Sequence, residues 1–207
     1  MGIADESICY NTGMKITAVR HGETVENLNR IIQGQNLGHL SETGIKQVAN
    51  LSSRLSAERF DAVYSSDLQR CVDTTRAILK NQPPLPVIYS AQIRELSFGE
   101  YQGKPSASID WQSLPGTALT RKVDGGESWT DLRGRIVPFL NKLLLEHADD
   151  DVLIVTHGGP LRVMRSVFES LSLEDMIDVP LPNCAVYNFE MHTLLSTKLP
   201  KYKANLG

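Results

Sequence analysis

Three apolar runs, ITAVR (16–20), DAVYSS (61–66) and VLIVTH (152–157), each pass directly into a helix start. That succession restricts the fold more than any other feature of the chain. Strands alternating with helices cannot pair as hairpins; they stack side by side with helices crossing over them, in a mostly parallel sheet. The expected class is α/β, a three-layer α/β/α arrangement around a mostly parallel central sheet. In such sheets the carboxyl ends of neighbouring strands form the ligand crevice.

The other elements follow from periodicity and capping. MKITAVR (14–20) reads as the first strand, with a short helical turn in ETVENLN after it. In SETGIKQVANLSSRL, Ile45, Val48, Leu51 and Leu55 recur at helical intervals behind Ser41, a capping residue. SDLQ (66–69) has the form of a Ser-x-x-Gln capping box and predicts a helix over about 68–80. A proline-rich turn, NQPPLP, leads into the strand VIYS. Trp129, Leu132, Ile136, Phe139 and Leu143 mark an amphipathic helix containing Pro138, with Glu127 and Ser128 placed to cap it. Pro160 suits the first turn of the helix after VLIVTH. CAVYNFEMH and TKLPKYKAN read as terminal extended segments, and residues 1–13 as a loose arm. Glycine, serine and proline dominate about 99–127, which reads as a small cap inserted in one domain spanning 1–207.

Composition excludes several classes of function. A net charge of −3 offers no general attraction to nucleic acid or to anionic membranes, so any basic site must be a local concentration. No segment has the length of a membrane span, and residues 1–15 lack the pattern of a signal peptide. Three scattered cysteines, Cys9, Cys71 and Cys184, form no disulfide framework and no metal spacing; Cys184 reads as a small core residue. A cytoplasmic location is expected, with the nucleus left open. His39, His147 and His192 show no metal-ligand spacing and read as exposed, so neither metal nor cofactor is expected. The sequence does not set an oligomeric state.

The polar residues at the strand ends carry the chemistry. Arg20 and His21 end the first run, Ser66 with Arg70 the second, and His157 with Gly158 the third. Helix N-termini at these turns offer unpaired N–H groups to an anion, and Gly22, Gly158 and Gly159 allow close backbone approach. Arginine grips two phosphate oxygens at once, and a histidine nitrogen can take a phosphoryl group covalently. Phosphate-monoester hydrolysis demands accelerations of up to about 10²¹-fold, so several fixed cations around the transferring oxygens are needed. Departure of an alkoxide also needs an acid, and Glu23, Glu95, Glu100 and Glu127 are all candidates on chemistry alone.

The segments VRHGET, SSDLQRCVDT, IRELSFGEYQG, GGES and VTHGG, in this order, resemble the histidine phosphatases of the phosphoglycerate mutase-like superfamily. The resemblance runs from Met14 to about His192 and implies a phosphoglycerate mutase-like fold. It implies His21 as the nucleophile, Arg20 and Arg70 as clamps on the phosphoryl oxygens, and His157 as a second histidine on one of those oxygens. Of the four acids it selects Glu95 as proton donor, a role that needs the acid protonated when substrate arrives. Thr24 and Asn27 would donate to the phosphate, and Gln33 and Gly34 would line the entrance, with Gly158 beside the phosphoryl group. Arg135 matches a family position with a role that could be structural.

The implied activity is hydrolysis of a small phosphorylated metabolite, in the branch resembling fructose-2,6-bisphosphatase and broad-specificity phosphatases. A mutase needs the same residues but is expected to carry a longer excursion before GGES, and the short one here favours access of water. A catalytically silent binding module would lack one of Arg20, His21, Arg70, Glu95 or His157, and all five are present. In the cap, Lys104, Arg121 and Lys122 could meet a second phosphate, though solvated loop charges are the simpler reading.

Overall fold

The computed structural model describes residues 13–197. The chain runs β1 (Met14–Arg20), α1 (Val25–Leu28), α2 (Glu42–Arg54), β2 (Ala62–Ser65), α3 (Gln69–Leu79) and β3 (Val87–Tyr89). After the cap come α4 (Trp129–Glu146), β4 (Asp151–Thr156), α5 (Gly158–Phe168), α6 (Leu173–Met176) and β5 (Val186–Met191). The strands form one sheet in the order β3-β2-β4-β1-β5, in which β5 alone is antiparallel to its neighbour. The arm expected over 1–13 falls, up to residue 12, outside the described residues, as do Cys9 and residues 198–207 of the last extended segment.

β4 explains why its sequence is apolar without a break. It lies between β1 and β2, and helices cover both faces of the sheet, so neither set of alternating side chains meets water. Val152 and Ile154 face α4 and α5, packing with Leu132, Ile136, Leu140 and Leu161. Leu153 and Val155 face α2 and α3, packing with Val48, Leu51, Cys71 and Ile78. Each such side chain contributes about 1.5–3 kcal/mol by leaving water. The three expected layers are therefore present, and α4 continues as one helix through Pro138.

Four expectations need correction. Ile45 stands outside the apolar stripe of α2, more than half exposed, because Gly44 rather than Ile45 faces the loop after β1. The SDLQ capping box does not form: Leu68 is the N-cap of α3 and has no side-chain cap bond. Ser128 does cap α4, but its partner is Asp131, and Glu127 takes no part. His147 is half-buried, not exposed; Nε2 lies 2.9 Å from the Tyr64 hydroxyl and Nδ1 2.7 Å from Asp150. His39 and His192 are exposed, and Cys71 and Cys184 are buried free thiols. Among the described residues no helix is long and apolar enough to cross a membrane.

Strand register sets the level of the site. Arg20 pairs with Thr156 across β1–β4, and Ser65 pairs with Val155 across β2–β4. One residue beyond, His21, His157 and Ser66 therefore emerge side by side at the carboxyl edge of the sheet.

Candidate active site

Two buried imidazoles form the centre. His21 and His157 are each almost wholly excluded from solvent, with ring centroids 5.1 Å apart and planes 62° apart, edge to face. His21 Nδ1 lies 2.7 Å from the Gly22 carbonyl oxygen, which can only accept, so that nitrogen carries the proton. Nε2 keeps its lone pair. Burial, reinforced by the charges of Arg70 and Arg20, holds the His21 pKa well below the ordinary value; the Gly22 bond opposes this without reversing it. The ring is thus neutral, with one bare nitrogen flanked by two cations. Asn183 Nδ2 and the Cys184 N–H both donate to the His21 carbonyl, holding the main chain in place.

His157 has the opposite tautomer. Arg70 Nε donates to its Nδ1 at 3.1 Å, leaving Nε2 to donate to Ser66 Oγ at 2.8 Å. This explains the failed capping box: the Ser66 hydroxyl serves His157 and the Leu68 N–H, and α3 begins three residues after it. His157 too is kept neutral, by burial first and by the charges of Arg70 and Arg20. Arg70, itself fully buried, also donates from Nη1 and Nη2 to the carbonyls of Asn36 and Gly34, which ties the 33–36 loop to the site and leaves two of its five N–H groups over.

The N-terminus of α5 collects the charged groups. Gly159 N–H donates to Glu95 Oε1 at 3.0 Å, and Leu96 N–H donates to the same oxygen at 2.8 Å. A Cβ on Gly158 would lie 2.9 Å from Arg162 Nη1, 3.6 Å from Glu95 Oε2 and 3.8 Å from Arg20 Nε. Two guanidiniums and the Glu95 carboxylate therefore converge over Gly158. Arg20 Nη1 donates to the Leu181 carbonyl, while the buried Nε of both Arg20 and Arg162 has no protein partner. Unsatisfied buried N–H groups are costly. A pair of them beside a helix N-terminus is suited to an anion.

The expected site residues divide into three sets. Arg20, His21, Arg70, Glu95, His157 and Gly158 come together. Thr24 does not open toward them: it is fully buried, caps α1, and accepts from the Asn27 N–H and from Gln33 Nε2. Asn27 completes that capping box through its Oδ1, and Gln33, buried, braces Thr24. Gly34 acts through its carbonyl on Arg70.

Sequence reading missed Arg162 and Asn183. Arg162 had a usable signal, since it sits four residues after Gly158 and so on the same helical face. Asn183 had none, because it reaches His21 through a turn in which Cys184 takes a left-handed φ of 57°.

A separate device fixes the Glu95 segment. Arg135 on α4 grips Glu127 with two bonds of 2.8 and 2.9 Å and donates to the carbonyls of Gln92, Arg94 and Glu95. Burial pushes the Glu127 carboxyl up, but the Arg135 bonds, the Ser97 N–H and the Arg135 charge outweigh it and hold its pKa below the ordinary value.

Stability should therefore fall in two steps on acidification. The unfolded chain protonates His21 and His157 near 6.5 while the folded chain does not, so stability is full above 6.5 and declines below it. Glu127 has a depressed folded value, so its contribution is present above about 4.5 and is lost as pH drops through the folded value. Urea midpoints measured from pH 8 down to pH 3.5 should show both declines, and Glu127→Gln should lower the midpoint at neutral pH slightly and shrink the second decline, to which Asp67 and Asp131 also contribute. A flat wild-type profile between pH 7 and 5 would overturn the assignment of neutral buried histidines.

Comparison with known proteins agrees with this geometry. Residues 16–194 match the sequence profile described as Histidine phosphatase superfamily (branch 1). An Arabidopsis thaliana protein named metal-independent phosphoserine phosphatase is 36% identical over 158 residues, 72% of this chain and 66% of that one. The chain thus spans just under two thirds of that relative's length. A Yersinia pestis protein named probable phosphoglycerate mutase GpmB is 31% identical over 180 residues, covering 84% of this chain and 83% of that one. Among solved structures, a mycobacterial glucosyl-3-phosphoglycerate phosphatase with VO3 superposes with a TM-score of 0.73 at 26% identity, over 84% of this chain and 90% of that one. With the profile matched over most of its length and its strand-end residues gathered at one place, the chain belongs to the histidine phosphatase superfamily, branch 1.

Proposed function

We propose that the protein is a phosphohydrolase that removes a phosphoryl group from a small phosphorylated metabolite through a phosphohistidine on His21. One observation carries this reading: a buried, neutral His21 whose proton is fixed on Nδ1 by the Gly22 carbonyl, leaving a bare Nε2 on a ring that feels the charges of Arg70 and Arg20. A histidine that served only packing would not need two cations beside it.

In the first step the Nε2 lone pair forms a bond to phosphorus as the bond to the leaving-group oxygen breaks. Glu95 gives its proton to that oxygen, and Arg20 and Arg70 balance charge on the three phosphoryl oxygens. In the second step a water oxygen attacks phosphorus, its proton passes to the Glu95 carboxylate, and the electron pair of the breaking P–N bond returns to Nε2. His157 holds Arg70 in register through Nδ1. Arginine charge does the work that a metal ion does in other phosphatases, in keeping with the metal-independent phosphatase named among the relatives. Phosphoserine, from that same name, is the first substrate to try. The short cap favours water over a second hydroxyl as acceptor, which sets hydrolysis ahead of the mutase reading suggested by the other relative's name.

Purified protein should release phosphate from a panel of phosphomonoesters, with a ³²P label recoverable on histidine as an acid-labile, base-stable adduct. His21→Ala should bring both signals to background while circular dichroism stays unchanged; turnover retained in that variant would refute the mechanism. Glu95→Gln should slow alkyl phosphates by about 10²–10⁴-fold. It should slow p-nitrophenyl phosphate far less, since that leaving group needs no proton. Uniform slowing would place the acid elsewhere.

Gly159→Ala is a second probe of the same geometry. Its new Cβ would lie 2.3 Å from Glu95 Oε1, the free end of a flexible side chain, so the carboxylate must move while the fold holds. The kcat for alkyl phosphates should fall at least tenfold with the melting temperature nearly unchanged. Unaltered kcat would show that Glu95 does not act from its place at the N-terminus of α5.

A further inference from the structure

Proton donation by Glu95 fixes where the leaving group must lie. The oxygen it protonates sits beside the carboxylate, so the remainder of the alcohol extends to the side of Glu95 away from the phosphoryl site. Adjoining the Glu95 segment is a cavity of about 400 Å³. It begins at Leu96, whose N–H holds Glu95 Oε1, and its walls include Phe98, Trp111, Trp129 and Ile177. Phe98 and Trp111 meet edge to face, with ring centroids 5.9 Å apart. Arg162 links the cavity to the phosphoryl site: Nη1 stands over Gly158, and Nη2 donates to the carbonyl of Val179, next to the lining residue Asp178. A larger cavity, lined by Lys15, Arg54 and Asp151, lies at the opposite end of β1 and β4 and cannot serve the same reaction.

The charges around the cavity decide what class of alcohol it suits. Of the three cap cations, Lys104 lies 4.6 Å over the Tyr101 ring and Lys122 pairs with Asp131 at 3.2 Å. Only Arg121 lines the cavity; its Nε is bound to the Gly116 carbonyl, and Asp178 opposes its charge. A second phosphate would find no surplus of positive charge there. An uncharged ring would find three aromatic side chains and two aliphatic ones, in a volume at the small end of the 300–1,000 Å³ typical of small-molecule sites.

We infer that this cavity is the leaving-group subsite and that it selects phosphomonoesters of apolar, ring-bearing alcohols over those of small polar or doubly phosphorylated ones. This rests on the phosphohydrolase reading for its catalytic consequence, but occupancy of the cavity can be read without turnover. The chain has two tryptophans, Trp111 and Trp129, and both line the cavity. Tryptophan emission therefore reports its filling directly.

Benzyl phosphate and methyl phosphate form a decisive pair, because their alcohols are of similar acidity and differ mainly in the ring. The kcat/KM for benzyl phosphate should exceed that for methyl phosphate, O-phosphoserine and fructose 1,6-bisphosphate by tenfold or more. In Trp111→Ala the benzyl-to-methyl ratio should fall toward one; Trp111 sits in the cap, 38% exposed, where truncation leaves the sheet core untouched. On the His21→Ala protein, benzyl phosphate should change tryptophan emission saturably, and methyl phosphate should not. Equal kcat/KM for the two esters, or a benzyl preference that survives Trp111→Ala, would overturn the subsite. If no ester is hydrolysed, the emission titration still decides: a saturable response to benzyl phosphate alone keeps the subsite and removes the hydrolase reading, and no response removes the subsite.

Discussion

The bond from His21 Nδ1 to the Gly22 carbonyl is the contact on which the site depends. Without it, the imidazole could present N–H to the phosphoryl group and would have no lone pair to offer. The bond alone would raise the basicity of the ring, but burial and the neighbouring guanidiniums push harder in the other direction. The result is a base too weak to hold a second proton at neutral pH, with a lone pair left on Nε2. The proposed phosphohistidine chemistry would need both properties together. The tautomer is local, set by Gly22 next to His21 at the end of one buried strand, whereas the neutral state also needs burial by the surrounding elements and the charge of Arg70 from α3.

Glu95 is held in the opposite way. Its segment has almost no regular structure, with one short turn at Ala91–Ile93, so its position is imposed from outside. The α5 N-terminus takes the carboxylate, and Arg135 takes the carbonyls of three residues in the stretch 92–95. The Arg135–Glu127 pair is partly exposed, and such pairs add little to global stability. Its value lies in geometry: a rigid, planar guanidinium on the longest helix reaches across and fixes a loop that carries the acid. A lysine there would keep the charge and lose the multiple directed bonds.

The parts legible in sequence are those fixed by local pattern. The continuous apolar run of β4, the alternation of β1 and the cap at Ser41 each have a nearest-neighbour cause, and the structure forms them where that cause acts. The misreadings share a different cause. Ser66 has the sequence of a capping residue, yet its hydroxyl is drawn to His157, 91 residues away. Thr24 has the spacing of a phosphate ligand, yet its buried hydroxyl caps α1 and accepts from Gln33. His147 reads as a surface histidine until Tyr64 and Asp150 close on its two nitrogens. In each case a polar side chain had two possible partners, and the choice was made by tertiary packing that sequence period does not record. Arg162 differs, since its i to i+4 relation to Gly158 is local and legible in the sequence.

The cap shows how such a site can keep its chemistry while its substrate range varies. Its two ends are pinned together at the base: the Glu127 N–H donates to the Ser97 carbonyl, and the Ser97 N–H donates to Glu127 Oε2. Gly99 completes the closure with a left-handed φ of 48°; a Cβ there would lie 2.0 Å from the Asp124 carbonyl oxygen. Residues 102–106 are bonded to the 30–35 loop, and Gln35 of that loop donates to the Glu95 carbonyl. Beyond them, residues 110–118 can change length or composition at only the slowly growing entropic cost of a longer loop. On the proposed reading, aromatic side chains in the cap can set which alcohol is accepted while the strand-end residues that would hold the phosphoryl group stay the same.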